Sequence, residues 1–135
     1  MCTVTIDGTK FRINNNLTYK YCRLKSRGRL MNARMVNCIF DDENPETRPV
    51  GFDPEVNTTN FINSMEEYKS KGILAFTINL QGGYPGYEGA INSAFRSDGS
   101  LKSEYMRRVS RVIEAADDLN LVIILGLFYQ RQDQI

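Results

Sequence analysis

Ile73 to Leu80 reads ILAFTINL and Leu121 to Phe128 reads LVIILGLF. Each is a short, almost wholly apolar run, and each follows a helical pattern that stops at a residue suited to the left-handed conformation, Gly72 and Asn120. Strands that are apolar on both faces belong to a parallel sheet covered on one side and filled on the other. Upstream, Arg34 to Phe40 (RMVNCIF) is β-rich and reads as a first strand of the same kind. The order is then strand, helix, strand, helix, strand.

The two helices follow from periodicity. One begins near Asn57 or Thr58, either of which can cap free amides, and Phe61, Met65 and Tyr68 give it one apolar face. Lys69 and Lys71 sit where its dipole favours positive charge. Ser100 is the expected cap of the other, whose stripe is Leu101, Tyr105, Val109, Val112, Ile113, Ala116 and Leu119. Between strand and helix the sequence reads as long loops: Asp41 to Asn57, broken by Pro45, Pro49, Gly51 and Pro54, and Gln81 to Ser100, rich in Gly and aromatics. The helix-to-strand turns are short. Long loops gathered at the carboxyl ends of parallel strands are where a barrel carries its function.

Ahead of this unit, Thr3 to Ile6 and Lys10 to Ile13 alternate around Asp7-Gly8, a hairpin expected to plug or cap the end of something larger. Lys20, Arg23, Lys25, Arg27, Arg29 and Arg34 follow with no acid among them. They form either an anion-binding patch or, the preferred reading, a solvated connecting segment without helical or groove-fitting pattern. The expected organisation is therefore residues 1–33 as hairpin and basic connection, and residues 34–135 as a βαβαβ unit truncated at its carboxyl end.

At 135 residues, 41% hydrophobic and 24% charged, the chain has ordinary globular composition, about half the length of a typical (β/α)8 barrel. Its net charge of +1 gives no global pull toward nucleic acid or an anionic membrane, and neither is an expected partner. No apolar run is long enough to span a bilayer and no secretory signal opens the sequence. Cys2, Cys22 and Cys38 are odd in number and lack CxxC spacing, which argues against a zinc knuckle or disulfide framework and for a reduced, cytoplasmic setting. Histidine is absent, which removes Ser-His-Asp triads, Cys-His dyads and HExxH zinc sites and leaves acid–base work to carboxylates, Tyr or Lys.

Three segments meet at the strand ends: Phe40 to Glu43, Asn79 to Tyr84, and Phe128 to Asp133. Their carboxylates, amides and aromatic faces suit a neutral polyhydroxylated ligand better than a phosphate or a hydride cofactor. Phe52, Tyr87 and Phe95 either stack on sugar rings or pack the loops down. Asp41, Asp42 and Glu43 are adjacent and lack EF-hand spacing, so no metal is expected. The glycines of Gln81 to Gly89 (QGGYPGYEG) are followed by no immediate helix and match no phosphate-loop pattern, so no cofactor is expected either.

LMNARMVNCIFDDENPET, GILAFTINLQGG, NSAFRSDGSLKSEYMRRV and VIILGLFYQRQDQ resemble the amino-terminal half of glycoside-hydrolase-like TIM-barrel proteins, similar to cellulase-type members of clan A. The resemblance implies an α/β fold, a partial (β/α)8 barrel with an amino-terminal hairpin, three parallel strands and two helices. It implies a parent that is a retaining glycosidase acting on O-glycosidic bonds. Its acid/base Glu after strand four and nucleophilic Glu after strand seven would then lie downstream of Ile135, so no catalytic residue is expected here and the chain alone should be inert. Substrate contacts are assigned to Asp41, Asp42, Gln81, Tyr84, Tyr129, Gln132 and Asp133. Thr77-Ile78-Asn79 and Leu127-Phe128-Tyr129 depart from the Arg and His that commonly end the second and third strands of that clan.

Two other functions fit the same residues: a non-catalytic carbohydrate-binding or scaffold barrel, and a self-contained small α/β ligand-binding domain. The barrel segment places both helices on one sheet face and leaves open edges that favour self-association. The open-sheet alternative allows helices on both faces.

Overall fold

The computed structural model describes residues 2–35, 38–83 and 89–128. They form a mixed α/β arrangement of three small sheets and two helices, and no closed barrel is present among them. Strands β1 (Val4–Asp7), β2 (Lys10–Ile13) and β3 (Asn16–Leu17) make an antiparallel sheet. Gly8, at φ +61°, turns the first hairpin, and Asn14 and Asn15, both at positive φ, turn the second.

The principal sheet is parallel, with β4 (Asn32–Arg34), β5 (Ala75–Asn79) and β8 (Val122–Gly126) side by side in chain order. Between them run α1 (Pro54–Ser70) and α2 (Ser103–Asp118), while β6 (Gln81–Gly83) and β7 (Ile91–Ser93) form a separate antiparallel hairpin. Phe76 and Ile78, two apart on β5 and therefore on one face, are fully buried in the same cluster as Phe61 and Met65 of α1 and Tyr105, Val109, Val112 and Ala116 of α2. Both helices thus cover the same side of the sheet. Phe76 meets Phe61 and Tyr68 edge to face, with ring centroids 5.2 and 5.6 Å apart.

The opposite side carries Asn32 and Arg34 on β4, Thr77 on β5 and Ile124 on β8, with Thr77 Oγ1 donating to Asn32 Oδ1 at 3.3 Å. The outer edge of β8 is unpaired among the described residues, and Ile124, Leu125, Leu127 and Phe128 are 36 to 65% exposed there.

The amino-terminal hairpins dock on the helix-to-strand turns, at the amino ends of the strands. Tyr19 Oη donates to Gly72 O at 2.6 Å and accepts from Met31 N, Asn14 Nδ2 donates to Asn120 Oδ1 at 2.5 Å, and Cys2 N donates to Asp117. Gly28, at φ +76°, lies so close to Lys10 that a Cβ there would stand 2.6 Å from its side chain. Gly72 and Asn120 take the left-handed conformation expected of them.

Several boundaries move. The first strand is Asn32–Arg34, not Arg34 to Phe40, because the buried Cys38 and Ile39 enter the core from a turn beyond the strand. α1 starts at Pro54, a turn earlier than expected: Asp53 Oδ1 accepts from Glu55 N and Val56 N at 2.7 and 3.2 Å, and Pro54 fits the first helical position, where no amide is needed. α2 starts at Ser103 without a side-chain cap, since Ser100 is held in a turn by Asp98, whose Oδ1 accepts Ser100 N at 2.9 Å. On α2, Ile113 is 42% exposed and Arg108 takes a buried place in the stripe. The loop Gln81 to Ser100 contains the β6–β7 hairpin.

Replacing Phe76 by Ala removes the ring on which both helices rest. The expected loss is roughly 3–5 kcal/mol, read as a lower midpoint of urea unfolding.

Candidate functional site

The carboxyl ends of β4, β5 and β8 gather the polar side chains. After β4 the chain turns through Cys38 and Ile39 and delivers Asp41, Asp42 and Glu43, and each acid is tied to a different element. Asp42 is 2% exposed. Its Oδ1 accepts from Asn44 N and Ile91 N, each at 2.9 Å, and its Oδ2 from Thr47 Oγ1 at 2.6 Å. Burial alone would raise its pKa. Hydrogen bonds from Thr47, Ile91 and Asn44, with the Arg48 charge nearby, outweigh that and hold the carboxyl below its ordinary range.

Glu43 N donates to Ile91 O at 2.8 Å, and the Glu43 carboxylate pairs with Lys102 just before α2. Asp41 N donates to Asn92 Oδ1 at 3.0 Å, while its carboxylate meets Arg48 Nη1 at 3.0 Å and Arg108 Nη2 at 3.4 Å. The Arg108 side chain is 3% exposed. Its Nη1 reaches Glu55 Oε1 at 3.3 Å, its guanidinium lies 5.2 Å from the Tyr105 ring centroid, and its Nε has no hydrogen-bond partner. Glu55, in the first turn of α1, also pairs with Arg111 at 2.8 Å and Arg107 at 3.0 Å. One carboxylate-guanidinium chain thus runs from the β4 loop through α2 to the amino end of α1.

β5 ends beneath this layer. Tyr105 Oη donates to Asn79 O at 3.2 Å, and burial pushes the phenol up to about 12 despite a hydrogen bond from Asn92. Tyr105 is therefore a neutral hydrogen-bond donor at physiological pH. Burial likewise pushes the Cys38 thiol up to about 12, which removes it as a nucleophile. Across the sheet, Leu80 N donates to Gly126 O at 2.8 Å, and a Cβ on Gly126 would stand 2.3 Å from Asn79 Oδ1, so the Asn79 amide rests directly on the β8 backbone.

Of the expected contact residues, the structure brings Asp41, Asp42 and Gln81 into one assembly. Asp42 and Glu43 hold Ile91 at the start of β7, and Gln81, half-buried, opens β6 opposite Ser93 at its end. The Asp42 oxygens are both filled internally. Tyr84, Tyr129, Gln132 and Asp133 lie outside the described residues, as does Tyr87. The other two loop rings have packing partners: Phe52 sits edge-on to Phe40 at 6.4 Å with Arg48 over it, and Phe95 stacks on Phe128 at 5.5 Å and 17°. Among the described residues no group of three His, Cys, Asp or Glu is placed to hold a metal, and no helix is long and apolar enough to cross a membrane.

Sequence reasoning did not anticipate Arg108, Asn92, Thr47 or Glu55. Arg108 had a signal: it lies three residues after Tyr105 and one before Val109, inside an apolar stripe, where a cation must find carboxylates. Comparison with family models, curated proteins and solved structures returned no match.

Two outcomes follow from this layer. The native Asp42 pKa lies below the ordinary 3.8, so its contribution is fully present above about pH 4 and is lost as pH falls through the native value. Asp42→Asn is expected to cost about 1–3 kcal/mol at pH 7, with the difference from the parent shrinking in acid, measured by urea unfolding across pH. In a cycle of Asp41→Ala and Arg108→Met, the double variant is expected to lose less stability than the two single losses added, a coupling of about 1 kcal/mol or more.

Proposed function

We propose that this chain is the opening part of a (β/α)8 barrel of glycoside-hydrolase type that acts on O-glycosidic bonds of a carbohydrate. In this reading it provides scaffold and substrate contacts while the reacting carboxylates come from elsewhere in the parent protein. The observation that carries the reading is topological. Three parallel strands lie side by side in chain order, and both intervening helices cover one face, the arrangement that consecutive barrel units repeat.

Three further features support it. The long connections that follow β4 and β5, with Asp41, Asp42, Glu43 and Gln81, sit at the carboxyl ends of the strands, the working end of such barrels. The apolar rim at Ile124, Leu125, Leu127 and Phe128 is surface that a next barrel unit would cover, and in its absence would favour self-association. A groove of about 380 Å3 lined by Arg34, Met35, Cys38, Phe61 and Tyr68 flanks β4 on the other side, where a closing helix would pack.

Retaining hydrolysis needs two carboxyl groups roughly 5–5.5 Å apart, one protonated and one free to attack. Asp41, Asp42 and Glu43 are each engaged with cations or backbone amides, which suits them to shaping the loop around a sugar. Gln81, at the start of β6, is a proposed contact for a sugar hydroxyl, with Tyr84, Tyr129, Gln132 and Asp133 as the remaining proposed contacts. The free thiols of Cys2, Cys22 and Cys38 go with a cytoplasmic setting for the same protein.

The test is a panel of neutral oligosaccharides titrated into isotopically labelled chain, alongside aryl glycosides. The expected result is weak binding with shifts centred on Gln81, about fivefold weaker in Gln81→Ala, and no turnover. Turnover by the chain itself that disappears in Asp133→Asn, or no shift near Gln81 with any saccharide, would overturn the proposal.

A further inference from the structure

The basic segment makes a surface that the carbohydrate reading does not use. Tyr21 to Arg27 is a run of seven consecutive exposed residues, with Tyr21 89% and Leu24 80% exposed. The run is held at both ends. On one side Tyr19 is fixed to Gly72 O and Met31 N; on the other Gly28 N donates to Thr18 O, and Gly28 O accepts from Phe11 N, both at 2.8 Å. Within it, Cys22 N bonds to Tyr19 O, Ser26 N to Arg23 O, and Arg27 Nε to Cys22 O, each at 2.9 Å, around a 3-10 turn at Leu24–Ser26. This is a small preformed protrusion.

Among the described residues no carboxylate pairs with its cations Lys20, Arg23, Lys25, Arg27 or Arg29, although Arg27 donates to the Cys22 carbonyl and Lys20 lies 4.9 Å from the Tyr21 ring centroid. Six of the chain's seventeen Lys and Arg fall between Lys20 and Arg34 with none of its sixteen Asp and Glu, leaving eleven cations against sixteen carboxylates elsewhere. The net charge of +1 therefore conceals a local cluster of positive charge. The cations project from the amino ends of the strands, where Tyr19 meets Gly72, and Asp41, Asp42 and Glu43 lie at the carboxyl ends.

We propose that this protrusion docks the protein on an anionic phospholipid surface, with Tyr21 and Leu24 entering the headgroup region and Lys20, Arg23, Lys25, Arg27 and Arg29 pairing with lipid phosphates and carboxylates. Two large, strongly exposed side chains among the cations, Tyr21 and Leu24, distinguish this partner from a hydrated polyanion. Phosphates on nucleic acid would engage the cations but give Leu24 nothing to bury against, whereas a bilayer interface accepts an aliphatic side chain and an amphipathic ring at the depth where the cations meet the headgroups. The surface lies apart from the carbohydrate site, and the inference stands without that reading.

The test is co-sedimentation of the 135-residue chain with vesicles of phosphatidylcholine alone and with about one third phosphatidylserine, at low and high salt. Binding is expected only to the serine-containing vesicles and to fall with salt. R23Q/K25Q is expected to weaken it about fivefold for each charge removed, and Y21S/L24S about tenfold. The altered side chains are exposed, so amide exchange of the β5 core should be unchanged in both variants. Equal partition into both vesicle types, or no binding to either, overturns the proposal. So does full vesicle affinity in Y21S/L24S, which would assign the surface to polyanions in general, checked with duplex DNA.

Discussion

The structure rests on the burial of one face of β5. Phe76 and Ile78 have no exposure, and the residues closing over them come from both helices, so a single two-residue repeat on one strand fixes where α1 and α2 lie. Burial of two large apolar side chains contributes several kcal/mol, a large share of what a small domain has in total. The remaining geometry follows. Helices on one side send both helix-to-strand turns to one end of the sheet, where the amino-terminal hairpins close over them, and send the long connections to the other.

At that other end the fold is held by charge. Removing a carboxylate from water is costly unless donors replace the water, and Asp42 receives three. Arg108 is less well provided for: its contacts with Asp41 and Glu55 are 3.4 and 3.3 Å, both carboxylates keep some solvent, and its Nε is unpartnered. Such a cation adds little net stability but defines position, because displacing any partner leaves a buried charge exposed to the cost of desolvation. The β4 loop, α1 and α2 are thereby held in one register. The same burial keeps Tyr105 and Cys38 neutral near neutral pH.

What was legible in the sequence was what local periodicity encodes. ILAFTINL is recognisable because a strand buried on both faces needs an unbroken apolar run, LVIILGLF by the same run although β8 leaves Ile124 and Leu125 exposed, and Gly72 and Asn120 because only a few residue types stop a helix in the left-handed region. RMVNCIF misled for a related reason: its apolar residues report burial, and burial was satisfied by a turn at Cys38 and Ile39 instead of a strand. Pro54 was read as a breaker although Asp-Pro is a favourable way to begin a helix. The β6–β7 hairpin was invisible because Gln81-Gly82-Gly83 has no strand preference of its own and is paired through its partner. The acids at Asp41 to Glu43 were found, but not their partners Asn92, Arg108 and Lys102, which lie 51 or more residues away in sequence and meet them only through the tertiary fold.

A near-zero net charge says little about a protein whose charges are segregated. A multipole decays faster with distance than a monopole, so at long range this chain behaves as nearly neutral. Within about a Debye length, roughly 10 Å at moderate salt, each surface acts with its own local charge. The Tyr21 to Arg27 protrusion then presents unpaired cations to whatever approaches, while the carboxyl-end layer presents acids already satisfied by Arg48, Arg108 and Lys102. The two ends are chemically different for that reason more than for the sign of their residues. At one end ionic groups are consumed in holding loops together, and at the other Tyr19, Thr18 and Gly28 hold the loop with one bond from Arg27 to Cys22 O, so that its cations are left without carboxylate partners among the described residues.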